Sequence, residues 1–304
     1  MTEFRRVELK TGVTLNVALA GPADAPSVIL LHGFPESHRT WREIEPRLSD
    51  RFNLVMPDQR GFAGSDRPAR KSAYAPDKTT DDVFALADAL GLERFALVGH
   101  DWGGAMGWGA VLRRDPRLTR VAVINAPHPV IFQKSLIESS GQRAASQYIK
   151  AFRLPGFAAF VRMKGFAWFF EKAFGEHVDL ALIPEAEKRQ YITEWSQPGT
   201  FKTMLNWYRA SPVRVPLPGI TVPIPDLLLK PFPKVDVPTL VIWGMRDKAL
   251  LPLQLEGLDR LVEKLEIVRI PGAGHFAPWE APDEVAAALA PFLERERMAT
   301  APPR

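Results

Sequence analysis

One short stretch constrains this chain more than any other. Phe95-Ala-Leu-Val-Gly99 is an apolar run that passes directly into His100-Asp101-Trp102-Gly103-Gly104. Such a run, bounded by glycine, predicts a buried strand. The Gly-x-Asp-x-Gly sequence at its end predicts a sharp strand-to-helix turn that presents the central side chain at its tip. The flanking glycines leave room that a Cβ would fill and tolerate a strained backbone. Serine is the usual central residue of such a turn, and here it is Asp101. A carboxylate is already ionised at neutral pH. It attacks carbon without the help of a base and becomes an ester of the protein itself. That chemistry suits a strained or halogenated sp3 carbon and disfavours simple ester cleavage.

The rest of the chain supplies a frame for this turn. Phe4 to Ala20 alternates around Thr11-Gly12 and predicts an opening hairpin. Ser27 to Leu31, Asn53 to Met56 and Arg120 to Ile124 read as further strands. Between them fall predicted helices over Trp41 to Leu48, from a Thr79 or Thr80 cap to Leu90 before Gly91, and over Gly104 to Leu112. Strands alternating with helices predict a mostly parallel sheet flanked by helices. The alternation stops over 128–233, where aromatic helical stretches give way to a proline-rich segment. It resumes with strands in Pro238 to Gly244 and Leu265 to Ile270 and a final helix over Asp283 to Arg295. Residues 1–127 and 234–304 are therefore expected to form one α/β core, and 128–233 a mainly helical cap inserted after the sixth of eight strands. Such a cap would lie over the carboxyl ends of the strands, where open α/β sheets bind ligands. Thr300 to Arg304 reads as a loose tail.

Two further residues stand where Asp101 would need them. Asp247 follows one late strand in Gly244-Met-Arg-Asp247, and His275 follows the last in Gly272-Ala-Gly-His275-Phe276. His275 cannot usefully deprotonate Asp101, so its expected task is to activate a water against the ester. Asp247 would hold the other ring N–H and stabilise the imidazolium. Asn125 also follows a strand, but an amide stabilises a cation less well, so it reads as a turn residue. In the loop His32-Gly33-Phe34-Pro35, backbone N–H groups of Phe34 and Trp102 are candidates for an oxyanion hole. His32 itself reads best as a hydrogen-bonding support for that loop. Asp58 to Asp66 has the composition of a turn with a buried charge network.

Gly99-His-Asp-Trp-Gly-Gly104 together with His32-Gly-Phe-Pro-Glu36 resembles the α/β-hydrolase-fold epoxide hydrolases, which are related to the haloalkane dehalogenases. The resemblance covers most of the chain. It implies conversion of an epoxide to a vicinal diol through a covalent aspartyl ester, and two cap tyrosines that hold the epoxide oxygen. Leu205-Asn-Trp-Tyr208-Arg209 resembles one tyrosine site, and Ser146-Gln-Tyr148-Ile the other more loosely, with Tyr191 as a competitor. His32, Pro35, Trp168, Trp207 and Phe276 complete the expected substrate-binding set. A dehalogenase is the rival reading, because it shares the Asp nucleophile, the tryptophan after it and the histidine. Halide release calls for N–H donors; Phe34 offers no side-chain donor, although Trp168, Trp195 and Trp207 could. A fluoroacetate-type dehalogenase would be expected to carry arginine where Trp102 stands. A non-catalytic binding scaffold is the weaker alternative, since no triad member is missing.

Composition narrows the remaining classes. The 304 residues are 46% hydrophobic, enough for a large core, and carry a net charge of +4 from 39 basic and 35 acidic residues. No clustered basic face or recognition motif argues for nucleic acid. The absence of cysteine removes disulfides, thiolate metal sites and a thiol nucleophile. No metal or other cofactor is implied. The start Met-Thr-Glu-Phe-Arg-Arg lacks an apolar signal segment, so a cytoplasmic protein is expected. Phe166 to Phe170 among Arg162, Lys164 and Lys172 would suit a membrane surface, but a lid over an apolar pocket explains it more simply. The expected partners are thus a small apolar epoxide and water, without nucleic acid or stable membrane association, and a homodimer is compatible with the chain.

Overall fold

Val, Ile and Leu dominate the strands β3 (Ser27–Leu31), β5 (Phe95–His100), β6 (Leu118–Ile124) and β7 (Thr239–Gly244), which are almost wholly buried. Strands buried on both faces belong to parallel sheets covered by helices. In the computed structural model, which describes residues 2–220, 222–225, 228 and 232–300, they join β1 (Glu3–Glu8), β2 (Thr14–Ala20), β4 (Asn53–Pro57) and β8 (Leu265–Ile270) in one eight-stranded sheet of order β1-β2-β4-β3-β5-β6-β7-β8. β1 and β2 run antiparallel at one edge, and every other pairing except β2 with β4 is parallel. This is the α/β-hydrolase arrangement expected above.

The order places β3 beside β5, although β4 lies between them in sequence. The chain's progress across the sheet reverses there, and loops leaving the carboxyl ends of the two strands must splay apart. Such a switch point opens the crevice used by ligands. Here the two loops are His32 to Glu36 and the turn at Asp101.

Between β6 and β7 the described residues contain eight α-helices and no strand: α4 (Pro129–Glu138), α5 (Ser140–Ala145), α6 (Tyr148–Arg153), α7 (Phe157–Lys164), α8 (Phe166–Gly175), α9 (Glu185–Ser196), α10 (Thr200–Met204) and α11 (Asn206–Ala210). Their buried aromatics merge with the core on one sheet face, where Phe169, Phe170 and Trp195 share a cluster with Phe34 and Leu31. The opposite face is filled by the C-terminal helix, with Val285, Leu289 and Phe292 against Val98 and Ile242.

Several local expectations are corrected. Trp41 to Leu48 is not one helix but a 3-10 turn, His38–Trp41, followed by the single-turn α1 (Glu45–Leu48). Pro46 has no N–H to give, so it serves only in a first turn. α2 (Pro76–Ala89) begins earlier than Thr79, because Pro76 occupies its first position, where its fixed φ is helical already. The turn leaves no room for a separate cap before α3 (Trp102–Arg113), so that helix starts directly after Asp101. The last helix runs Pro282–Thr300. The tail expected at 300–304 lies outside the described residues beyond Thr300.

The turn itself is strained as its sequence implies: Asp101 holds φ 50 and ψ −116. It survives because its surroundings are close-packed. A Cβ on Gly103 would stand 2.0 Å from the Leu31 carbonyl oxygen, and one on Gly99 would stand 2.3 Å from the Gly103 carbonyl oxygen. β3 is locked between β4 and β5 and cannot retreat. Gly103→Ala should therefore cost about 3 kcal/mol of stability, read as a lower midpoint in urea unfolding; an unchanged midpoint would mean that the turn is loose.

Candidate active site

Strand ends bring the predicted triad together. Asp101 leaves β5, Asp247 sits three residues beyond β7, and His275 follows β8. His275 Nδ1 lies 2.8 Å from Asp247 Oδ2, and His275 Nε2 lies 3.8 Å from Asp101 Oδ2. The imidazole thus stands between the two carboxylates, with one nitrogen on each. The other nucleophile oxygen, Asp101 Oδ1, accepts the Phe34 backbone N–H at 2.8 Å. The Trp102 N–H also bears on this carboxylate. The two oxygens are therefore distinct: Oδ1 rests on the Phe34 amide and Oδ2 faces the histidine.

Burial sets the electrostatics. It pushes the Asp101 carboxyl above its ordinary range, although the charges of His275 and His100 and the two amides work against that rise. Burial would favour a neutral His275, yet the charge and hydrogen bond of Asp247, with the charge of Asp101, outweigh it and raise the imidazole to about 9. Asp247 is buried too, but His275 and its hydrogen bonds hold it below the usual range.

Asp247 is held on every side. Its Oδ1 accepts the N–H groups of Ala249 and Leu250, each at 2.8 Å. Asn125 Nδ2 donates to Oδ2 at 2.8 Å while Asn125 Oδ1 accepts the Gly244 N–H at 3.0 Å. Asn125, at φ 45, is thus a turn residue as read from the sequence, but its side chain also fixes the acid, which sequence reasoning missed. Its place at the end of the strand beside β7 was the available signal. Glu280 was also missed: it accepts the N–H groups of Gly274 and Phe276 at 2.9 and 3.0 Å, clamping the backbone on both sides of His275. Buried Glu36 lies 3.2 Å from His100, whose Nε2 lies 2.8 Å from the His275 carbonyl oxygen.

Above Asp101 is a mainly apolar cavity of about 210 Å³. Its wall includes Asp101, Trp102, Tyr148 and Tyr208, with Tyr148 on α6 and Tyr208 on α11. The two phenol rings meet edge to face at 6.1 Å, and Tyr208 packs at 5.2 Å against Trp102. Burial first, then the negative charge nearby, raises both phenols well above their ordinary range, so they stay protonated donors. Tyr191 is elsewhere: it is buried on α9 among Phe174 and Trp195, with its hydroxyl 3.5 Å from Glu36.

Five expected substrate-binding residues are not in this wall. His32 is buried and accepts the Gln59 N–H at 2.9 Å, supporting its loop. Pro35 receives the Trp195 indole N–H on its carbonyl, and Trp207 donates its own to Arg60 O, so both are fixed between cap and core. Phe276 packs on His275, Phe174 and Trp279. Trp168 is half-buried and stands edge to face against Phe160. Each carries an aromatic or cyclic side chain suited to a pocket, but each has found a packing partner instead. Beyond Asp101, Trp102, Tyr148 and Tyr208, the wall is made by residues that carried no sequence signal, such as Met106, Phe132 and Val213. The Asp58 loop is the charge network read from its composition: Asp58 accepts from the His38 ring at 2.8 Å and from Asn16 at 2.8 Å. Burial would raise its pKa, but His38 outweighs that and brings it to about 2. A wider polar concavity lies at the amino ends of β3 and β4, beside Gly21, Ser27 and Asn53, away from all of this chemistry. Among the described residues no helix is long and apolar enough to cross a membrane, and no cluster of His, Asp or Glu is placed to hold a metal.

Comparison with known proteins agrees with this arrangement. Residues 26–282 match the model of the alpha/beta hydrolase fold family. AB hydrolase superfamily protein YfhM of Bacillus subtilis (strain 168) is 32% identical, over 94% of this chain and 96% of its own length. Epoxide hydrolase A of Mycobacterium tuberculosis (strain ATCC 25618 / H37Rv) is 34% identical, over 93% of this chain and 94% of its own. A solved structure described as a novel epoxide hydrolase of the alpha/beta hydrolases superfamily, from metagenomes of hot environments, is 47% identical with a TM-score of 0.89, covering 96% of this chain and 99% of that one. The chain belongs to the alpha/beta hydrolase fold family, in its epoxide hydrolase group.

Proposed function

We propose that this protein hydrolyses an epoxide to a vicinal diol through an ester on Asp101. The observation that carries the reading is the pair of protonated phenols, Tyr148 and Tyr208, in the same cavity wall as an aspartate whose Oδ2 faces a histidine. Asp101 Oδ2 forms a bond to a ring carbon as the ring C–O bond breaks. The departing oxygen takes its proton from a tyrosine, since an alkoxide leaves poorly without one. Water then adds to the Asp101 carboxyl carbon, giving its proton to His275 Nε2, while Asp247 stabilises the imidazolium. Oδ1, now the carbonyl oxygen, gains negative charge against the Phe34 N–H, with the Trp102 N–H as the second donor to the same carboxyl group. Collapse breaks the bond to the alkyl oxygen, which takes the proton held by His275; the Asp101 carboxylic acid that results returns a proton to the tyrosinate, and the diol leaves. No cofactor enters this sequence. Residues 128–233 act in it as the cap that supplies both tyrosines and excludes water. The relatives described as epoxide hydrolases support the same choice.

Halide release has less to support it. Of the cavity's polar side chains among the described residues, only Trp102 and Arg153 could offer N–H groups, and the Arg153 guanidinium is already bound to carbonyls. The direct test is a single turnover with excess protein in heavy-oxygen water, with epoxides and haloalkanes assayed in parallel for diol and halide. The label should enter the Asp101 carboxyl first; label appearing in the first diol would end the covalent reading. Tyr208→Phe should slow ester formation about 100-fold in single-turnover measurements, and an unchanged rate would remove Tyr208 from the reaction.

A further inference from the structure

The cavity is one-sided with respect to the nucleophile. From Asp101 and the two tyrosines it extends toward Met106, Phe132 and Val213. The other flank of the tyrosines is filled. Phe34, whose N–H holds Asp101 Oδ1, sets its ring 5.1 Å from Tyr208 and 5.0 Å from Phe152. Phe152 in turn lies 4.9 Å from Tyr208 and 5.4 Å from Tyr148. Behind them Phe169 meets Phe34, Phe152 and Trp195. Neither Phe34 nor Phe152 lines the cavity. Rings packed at these separations leave no space for an added carbon without moving a neighbour.

The chemistry of the cavity restricts the substituent as well. Arg153 is the only basic side chain in its described wall, and its guanidinium donates to the carbonyls of Tyr208, Val213 and Ser211 at 2.8, 2.7 and 3.0 Å. It ties α6 to α11 and to the segment after it, and is not free to pair with an acid on a ligand.

We propose that the substrate is a terminal epoxide, with one uncharged apolar arm lying toward Met106, Phe132 and Val213, and that Phe34 and Phe152 form the wall that excludes a second arm. The inference rests on the epoxide-hydrolase reading of the site. A three-membered ring held by its oxygen on two phenols, with one carbon in line with Asp101 Oδ2, directs trans substituents on its two carbons to opposite sides. One of them fits the cavity. The other meets the Phe34–Phe152 wall, unless its carbon carries only hydrogen.

Styrene oxide and trans-1-phenylpropylene oxide differ by one methyl on the second ring carbon. The wild-type protein should favour styrene oxide in kcat/KM by about 10- to 200-fold, the range one methyl commands in a tight site. Phe152→Ala should shrink that ratio by raising the trans oxide relative to styrene oxide, and Phe152→Leu should do so in part should the alanine variant fail to fold. Equal kcat/KM values for the two oxides in the wild type, or an unchanged ratio in the folded variant, overturn the proposal. A second measurement does not depend on turnover. Calorimetric titration of the wild-type protein should give tighter binding of 1-phenyl-1,2-ethanediol than of 1-phenyl-1,2-propanediol. That preference without turnover of either oxide would sink the proposed reaction and leave the one-sided cavity standing. Equal affinity, or no binding of either diol, would sink the one-sided cavity.

Discussion

Asp101→Ala should lose turnover of styrene oxide by about 10 000-fold or more, down to the rate in buffer. The size of the effect follows from what the cavity lacks without it. Among the described residues Asp101 is the only carboxylate in the wall. Asp247 points away, with both oxygens occupied by Asn125, His275 and two backbone amides. His275 would remain, and a histidine can direct water at an epoxide, but nothing would hold the ring carbon in line and no ester could form. Asp101→Asn gives the sharper comparison. It keeps the planar side chain on the same strained turn, φ 50 and ψ −116, and its carbonyl can still accept the Phe34 N–H. It removes only the charge that attacks. Asp101→Asn should unfold no earlier than the wild type, because it relieves a carboxylate that burial disfavours and keeps the Phe34 hydrogen bond. Diol formation by Asp101→Ala above about one per cent of wild type would show that water attacks the epoxide directly.

What the sequence made legible was whatever depends on local pattern. The elbow was readable because strand, glycines and nucleophile are consecutive, and the order Asp101, Asp247, His275 because each follows an apolar strand. The sheet could be drawn from the same runs. Residues that act only through the tertiary fold were not readable. Asn125 and Asp247 are 122 positions apart, and their hydrogen bond exists because β6 and β7 pair in register. Glu280 reaches back to Gly274 and Phe276 through a tight turn whose geometry no periodicity encodes. The pocket was the least readable. Trp168, Trp207 and Phe276 are the residue types that line apolar sites, but the cap has many aromatic residues, and most of them bind one another. Which ring faces the cavity depends on how short helices such as α6 and α11 pack, and that is set by contacts distant in sequence, such as Arg153 with the Tyr208 carbonyl.

His275→Gln should separate the two halves of the reaction. Alkylation needs Asp101 and the tyrosines, all of which remain, so one equivalent of epoxide should still be consumed. Hydrolysis needs a base at Nε2, and a glutamine amide cannot accept a proton. Steady-state turnover should fall by about 1 000- to 10 000-fold, while the peptide carrying Asp101 gains the mass of one substrate. The pH dependence of the wild type tests the same assignment. In the free protein the Asp101 charge helps Asp247 raise His275 to about 9, so the ring is protonated near neutrality. Esterification removes the Asp101 charge. The imidazole pKa must then drop, and the ring becomes a base at the moment a base is required. Measured by tryptophan fluorescence in rapid mixing from about pH 5 to 10, hydrolysis should therefore accelerate as pH rises through an apparent pKa below 9. Alkylation should behave differently: it fails on the acid side as Asp101 takes a proton, and because burial raises that carboxyl, the loss begins at a higher pH than an exposed aspartate would give. A hydrolysis rate that declined with rising pH, or a His275→Gln protein that never acquired the adduct, would mean that the histidine acts before the ester forms, and the two-step assignment of Asp101 and His275 would have to be abandoned.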